Sequence, residues 1–171
     1  HFGDWLVPSV KNEQGFADGP ASSFLTGHKV ATAIYADTTE KLGYIAGILG
    51  DEAESKRCMD LAVRIRQAFE ETYLKDDGTL DGDLQGLYVL ALKMNMVSEG
   101  HREQLLKRLT EKIQENGGCM DCGFMSVPHI LDVLYENGEK EAAWKLLFQD
   151  KCPSWLYEVE MGATTMWESW N

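Results

Sequence analysis

The chain has 171 residues, 44% of them hydrophobic, which suits one domain with an ordinary core. Its 28 Asp and Glu against 16 Lys and Arg leave a formal net charge of −12, which argues against nucleic acid or an anionic membrane surface as a partner. No apolar run approaches the roughly 20 residues needed to cross a bilayer as a helix.

Residues 1–27 carry Gly3, Pro8, Gly15, Gly19, Pro20 and Gly27 without a period, and read as a long loop. From residue 28 to 149 the spacing is helical. Val30, Ala33, Ile34, Leu42, Ile45, Ala46 and Leu49 predict a first helix ended by Gly50. Asp51, Glu52 and Glu54 open a second, whose apolar face is Cys58, Leu61, Ala62, Ile65 and Phe69. Leu84 to Met94 is apolar on nearly every side, the mark of a helix buried by several neighbours. Leu105, Leu106, Leu109 and Ile113 predict a fourth helix closed by Gly117-Gly118. Ile130, Leu131 and Leu134 predict a fifth stopped at Asn137-Gly138, and Ala142, Ala143, Leu146 and Leu147 a sixth. The links between them are short, which makes successive helices antiparallel neighbours. The fold class is therefore all-α, built of helical hairpins, with residues 150–171 expected to form a loop and the start of a further helix.

The closing run, CPSWLYEVEMGATTMWESWN, gathers three tryptophans, Tyr157 and three glutamates around a Gly-Ala-Thr-Thr turn. Flat rings beside carboxylates suit a sugar: the ring covers the C–H face of a pyranose, and the carboxylate moves protons or binds hydroxyls. Glu168 is the sharpest candidate, with two readings open. As a catalytic carboxylate it would face the sugar; as the fourth residue of Thr165-x-x-Glu168 it would reach back to a backbone N–H and start a helix. Glu158 and Glu160, two apart, would point the same way on an extended loop. Asp4, in Gly-Asp-Trp, reads as either a ligand-facing corner or a turn aspartate. Trp5, Trp155, Trp167 and Trp170 are candidate platforms or core residues.

Other motifs carry less. Cys119 and Cys122 form C-M-D-C without the second pair a zinc site needs, and read as buried or loop thiols. The Asp77–Asp83 run, DGTLDGD, imitates half a calcium loop but has Thr79 at its third position, so a polar turn is the better reading. The four histidines show no metal-ligand spacing, and no phosphate-binding or nucleophile-elbow motif is present.

Gly3-Asp4-Trp5 in FGDWL, the Pro153-Ser154-Trp155 corner, Gly123-Phe124 ahead of a helix and the run Gly162-Ala-Thr-Thr-Met-Trp-Glu-Ser-Trp170 together resemble the catalytic domain of bacterial α-L-rhamnosidases, glycoside hydrolase family 78. The resemblance covers essentially the whole chain. It implies an (α/α)₆ barrel and hydrolysis of terminal α-L-rhamnosides with inversion, needing no metal or cofactor. It implies Glu168 as general base, with Asp4, Trp5, Trp155 and Tyr157 lining the rhamnose pocket. The general acid of that family lies upstream, in an acidic motif that these 171 residues do not contain. Inversion needs two carboxyl groups about 6.5–9.5 Å apart, and half of a twelve-helix barrel would leave an apolar face open. The expected partners are a rhamnose-containing glycoside and the rest of a parent polypeptide. The alternatives are a non-catalytic helical module binding carbohydrate or protein, and another (α/α)₆ glycosidase or lyase.

Overall fold

The computed structural model describes residues 2–170 as seven α-helices, with no strand among the described residues beyond two isolated bridges, Lys11 to Ala17 and Leu74 to Leu80. The helices are α1 (Gly19–Ile48), α2 (Glu52–Tyr73), α3 (Gln85–Lys93), α4 (Glu99–Glu115), α5 (Ile130–Glu136), α6 (Lys140–Leu147) and α7 (Trp155–Glu160). A short 3₁₀ turn, Val127–His129, leads into α5.

Six helices answer to the six apolar repeats of the sequence, paired as hairpins: α1 on α2, α3 on α4, α5 on α6. α1, α3 and α5 also touch in succession, so they form the shared inner row and α2, α4 and α6 pack outside it. α3 sits at the centre, with every residue from Leu87 to Leu92 buried. That accounts for its lack of an amphipathic stripe, since each face meets apolar neighbours.

The first helix begins at Gly19, so the opening loop is shorter than the 1–27 expected. Asp18 accepts from the Ala21 N–H at 2.8 Å, and Pro20 sits in the first turn, where its missing N–H costs nothing and its fixed φ favours the helix. Gly50 (φ +83°) ends the α1 turn, and Asp51 caps α2 by accepting from Glu54 at 3.0 Å.

The end of the chain also departs from expectation. No helix starts at Thr165: residues 163–170 are bends and open loop, so the Thr165–Glu168 capping box is not formed. The helix lies earlier, as α7, where Ser154 caps by accepting from Tyr157 at 3.1 Å. Glu158 and Glu160 are therefore helical and face apart, Glu158 buried and Glu160 exposed. The DGTLDGD run is a polar turn. Asp77 holds Thr79, Asp81 pairs with Lys29 at 2.7 Å, and Asp83 is engaged by Arg108. Cys58, Cys119 and Cys122 are buried thiols and Cys152 is exposed.

Candidate active site

A cavity of about 480 Å³ opens between the Leu6 loop, the Cys122–Pro128 turn and the closing segment. Its walls are largely apolar and aromatic: Phe124, Val127, Trp167 and Trp170 among them. Among the described residues Glu168 is the single acid lining it, solvent-exposed, between the two tryptophans of the Trp-Glu-Ser-Trp run. A few hundred cubic ångströms of apolar wall around one polar group is the usual build of a small-molecule site.

The other residues expected at the pocket stand behind it. Asp4 is 1% exposed, and its carboxylate accepts four hydrogen bonds from the Gly123–Ser126 turn. Oδ2 takes the Gly123 N–H at 3.0 Å and the Ser126 hydroxyl at 2.6 Å; Oδ1 takes the Met125 and Ser126 N–H groups, both at 3.0 Å. With all its acceptor capacity used, Asp4 has nothing to offer a sugar and does not line the cavity; its contribution is to fold the wall that does. Burial pushes its carboxyl above the ordinary range, and the four donors pull it part of the way back. The packing leaves no slack: a Cβ on Gly86 would run into Asp4 Oδ2, and one on Gly123 would come to 2.5 Å from the Trp5 carbonyl oxygen.

Trp5 is half-buried. Its ring lies over Gly19 and meets Phe2 edge-on at 5.8 Å, while its carbonyl accepts from the Phe124 N–H at 3.0 Å. Trp5 therefore also acts on the cavity through the turn that carries Phe124. Trp155 and Tyr157 project from α7 against the two lining tryptophans. Trp155 meets Trp170 edge-to-face at 6.4 Å and Tyr157 meets Trp167 at 6.3 Å. Such pairs orient rings by their quadrupoles, so α7 sets the pitch of the two indoles facing the cavity.

Sequence reasoning missed three of the lining residues, Leu6, Val127 and Pro128. They are apolar loop residues with no chemical signature; Leu6 alone carries a backbone clue, a φ of +61°, and that is conformational rather than compositional.

Also unanticipated is how the closing loop is held. The Ala163 N–H donates to the Glu158 carbonyl at 2.9 Å. At the far end, the Cys152 thiol donates to the Trp170 carbonyl at 3.0 Å. Glu168 is thus presented by a loop with no secondary structure that is tied on both sides.

Paired helices here present a loop-borne carboxylate between aromatic faces. The family described as the bacterial α-L-rhamnosidase six-hairpin glycosidase domain matches residues 1–171, and the chain belongs to that family. An α-L-rhamnosidase of Streptomyces avermitilis is 35% identical over 170 residues, and one of Formosa agariphila 36% over 171; each alignment takes in 99% of this chain. The structure of the Streptomyces avermitilis enzyme complexed with L-rhamnose superposes with a TM-score of 0.85, and that of the native enzyme from Aspergillus terreus with 0.89 at 27% identity. The three hairpins are accordingly part of an (α/α)₆ barrel. The chain spans 15% and 18% of the two curated relatives, and 15% and 19% of the two solved chains.

Proposed function

We propose that this chain works as part of a longer glycoside hydrolase that removes terminal α-L-rhamnosyl groups with inversion, and that Glu168 is its general base. The observation that carries the reading is the placement of Glu168 as the one acid in an aromatic-walled cavity, in a chain of the α-L-rhamnosidase family. The tryptophan faces and Phe124 suit the C–H surfaces and the methyl group of a deoxysugar. Glu168 takes a proton from a water molecule as that water attacks the anomeric carbon from the face opposite the leaving group. A second carboxyl must protonate the departing oxygen. Asp4 is sealed under the turn and Glu158 is buried behind the loop, which supports a general acid supplied by the rest of the parent polypeptide.

Kinetics of the full-length parent on an aryl α-L-rhamnoside test the assignment. Glu168→Gln should lower kcat by roughly 10²–10⁴-fold, the span general acid–base catalysis covers, with circular dichroism unchanged. Proton NMR of the unmutated reaction should show the β anomer first. A Glu168→Gln enzyme with near-normal kcat would remove Glu168 from the base role, and α anomer appearing first would exclude inversion.

A further inference from the structure

The turn from Gly123 to Pro128 walls the cavity that Glu168 lines, and its backbone donors are already engaged. The N–H groups of Gly123, Met125 and Ser126 donate to the Asp4 carboxylate, each at 3.0 Å, and that of Phe124 to the Trp5 carbonyl at 3.0 Å. The Val127 N–H donates within the turn to the Gly123 carbonyl at 3.0 Å, and Pro128 has no N–H to give. The hydroxyl of Ser126 donates to Asp4 at 2.6 Å. A few polar groups on the wall of a small-molecule site normally fix the ligand's orientation. Here four consecutive N–H groups turn instead to Asp4 and Trp5, neither of which lines the cavity.

What the turn offers the cavity is apolar. Phe124 is 48% exposed, with Val127, Pro128 and Leu6 beside it on the same wall. The substituents of a rhamnopyranose sort themselves against such a surface. The hydroxyls at C2, C3 and C4 each hold water, and against a turn with no free N–H they would give that up without a replacement donor. The C6 methyl is the one apolar substituent on the ring, and leaving water there is favourable.

We infer that this turn receives the C6 methyl of the sugar, with Phe124 as the specificity-determining side chain and Asp4 as the positioning residue that shapes the turn and keeps its N–H groups from a hydroxyl. Asp4 touches no substrate; it acts on which sugar is turned over. This inference rests on the reading of the chain as part of an α-L-rhamnosidase. An α-L-mannoside differs from the rhamnoside by a single hydroxyl on C6, and that hydroxyl would meet the donor-free wall unpaired. An apolar pocket rejects an added hydroxyl by on the order of 10²-fold.

The test gives the full-length parent enzyme an aryl α-L-rhamnoside and the matching aryl α-L-mannoside. The parent should favour the rhamnoside by roughly 10- to 100-fold in kcat/KM. Phe124→Ala, at a half-exposed side chain the fold does not need, should cut that preference by about fivefold or more, chiefly by slowing the rhamnoside. Asp4→Asn replaces one acceptor oxygen with a donor, which releases turn donors, and should move the preference the same way by about fivefold. If that variant does not fold, Ser126→Ala removes one of the four bonds and should shift the preference about two- to threefold. A parent that turns over both substrates equally, or a Phe124→Ala enzyme with its preference intact, overturns the inference. Asp4 and Ser126 variants that slow both substrates by one factor overturn the role given to Asp4, since a merely structural residue does not move the ratio. Glu168→Gln separates this claim from the base assignment: near-normal kcat there removes the base and leaves the preference to be read, whereas a lost preference leaves the base standing.

Discussion

Asp83 sits in a left-handed turn (φ 42°) between α2 and α3, where Arg108 clasps both of its oxygens at 3.0 and 2.6 Å, the Tyr88 hydroxyl donates at 2.6 Å and Lys112 approaches to 3.5 Å. Burial alone would raise its pKa, but the Arg108 and Tyr88 bonds and the two cationic charges outweigh it and hold the group at about 2. The folded value lies below the unfolded one, so the stabilisation is complete above the ordinary aspartate range and is lost as pH falls from about 4 towards about 2. The side chain is 35% exposed, which screens the interaction, so Asp83→Asn should cost about 1 kcal/mol near neutrality rather than the full shift. Urea unfolding across pH checks this: the difference between the two proteins should close near pH 2, and an equal loss at both extremes would mark the effect as geometric. DGTLDGD is readable as a polar turn from its residues alone. Which acid carries weight is not, because Arg108 comes from 25 residues further on. Asp4 shows the same limit more sharply. A Gly-flanked acid beside a tryptophan announces a special position, but the turn it holds lies 119 residues away and settles whether it faces ligand or backbone.

Helices with a sustained apolar period were legible because each buries a stripe against a partner, and periodicity reports that directly. The start of α1 and the whole of α7 were not. Asp18-Gly-Pro is a sound opening signal, but Gly19 and Pro20 also read as loop, and only packing of the Trp5 ring over Gly19 decides between them. α7 has six residues, too few to show a period, and tertiary contacts with the Trp167 and Trp170 rings hold it in place. α1 also carries a pattern that its own partners leave unused. Phe24, Tyr35, Leu42, Ile45 and Leu49, with His28, Ala31 and Thr38 between, follow alternate steps of four and three along one face, and those five apolar residues are exposed. The stripe runs about 37 Å at 1.5 Å per residue. At the other end of the row, Tyr135, Trp144 and Phe148 are half or more exposed beside α5 and α6, the two α6 rings stacked at 5.7 Å. Both edges are finished surfaces for a further hairpin, as an arc of a barrel requires. The isolated chain should therefore self-associate at micromolar concentration. Leu42→Glu with Ile45→Glu should return it to a monomer by sedimentation, while costing the full-length parent roughly 1.5–3 kcal/mol per residue, seen as a lower unfolding midpoint. A monomeric unmutated chain, or a parent indifferent to both changes, would mean that the stripe faces water in the whole protein.

At the scale of the molecule, the arrangement separates binding from turnover. Three hairpins present one wall of a pocket, with the Glu168 loop tied to the Glu158 carbonyl at one end and to the Cys152 thiol at the other. The inverting hydrolysis proposed above needs a protonated carboxyl about 6.5–9.5 Å from the base, and among the described residues Glu168 is the single acid lining this cavity. An open cavity also leaves the reacting centre in bulk water, where a base is a poor catalyst because its field is screened. The isolated chain should then release no rhamnose from an aryl α-L-rhamnoside at any pH, even with the solubilising α1 substitutions. Weak sugar binding is compatible with the same geometry, since aromatic faces alone contribute about 0.5–1.5 kcal/mol each. Titrating L-rhamnose against the tryptophan fluorescence of the chain should give at best a millimolar response that Glu168→Gln leaves nearly intact. Turnover abolished by Glu168→Gln would show that the 171 residues hold an acid of their own. Micromolar binding without turnover in either the chain or the full-length parent would favour the carbohydrate-binding module over the enzyme, because a wall built to bind tightly by itself has no need of the opposite half.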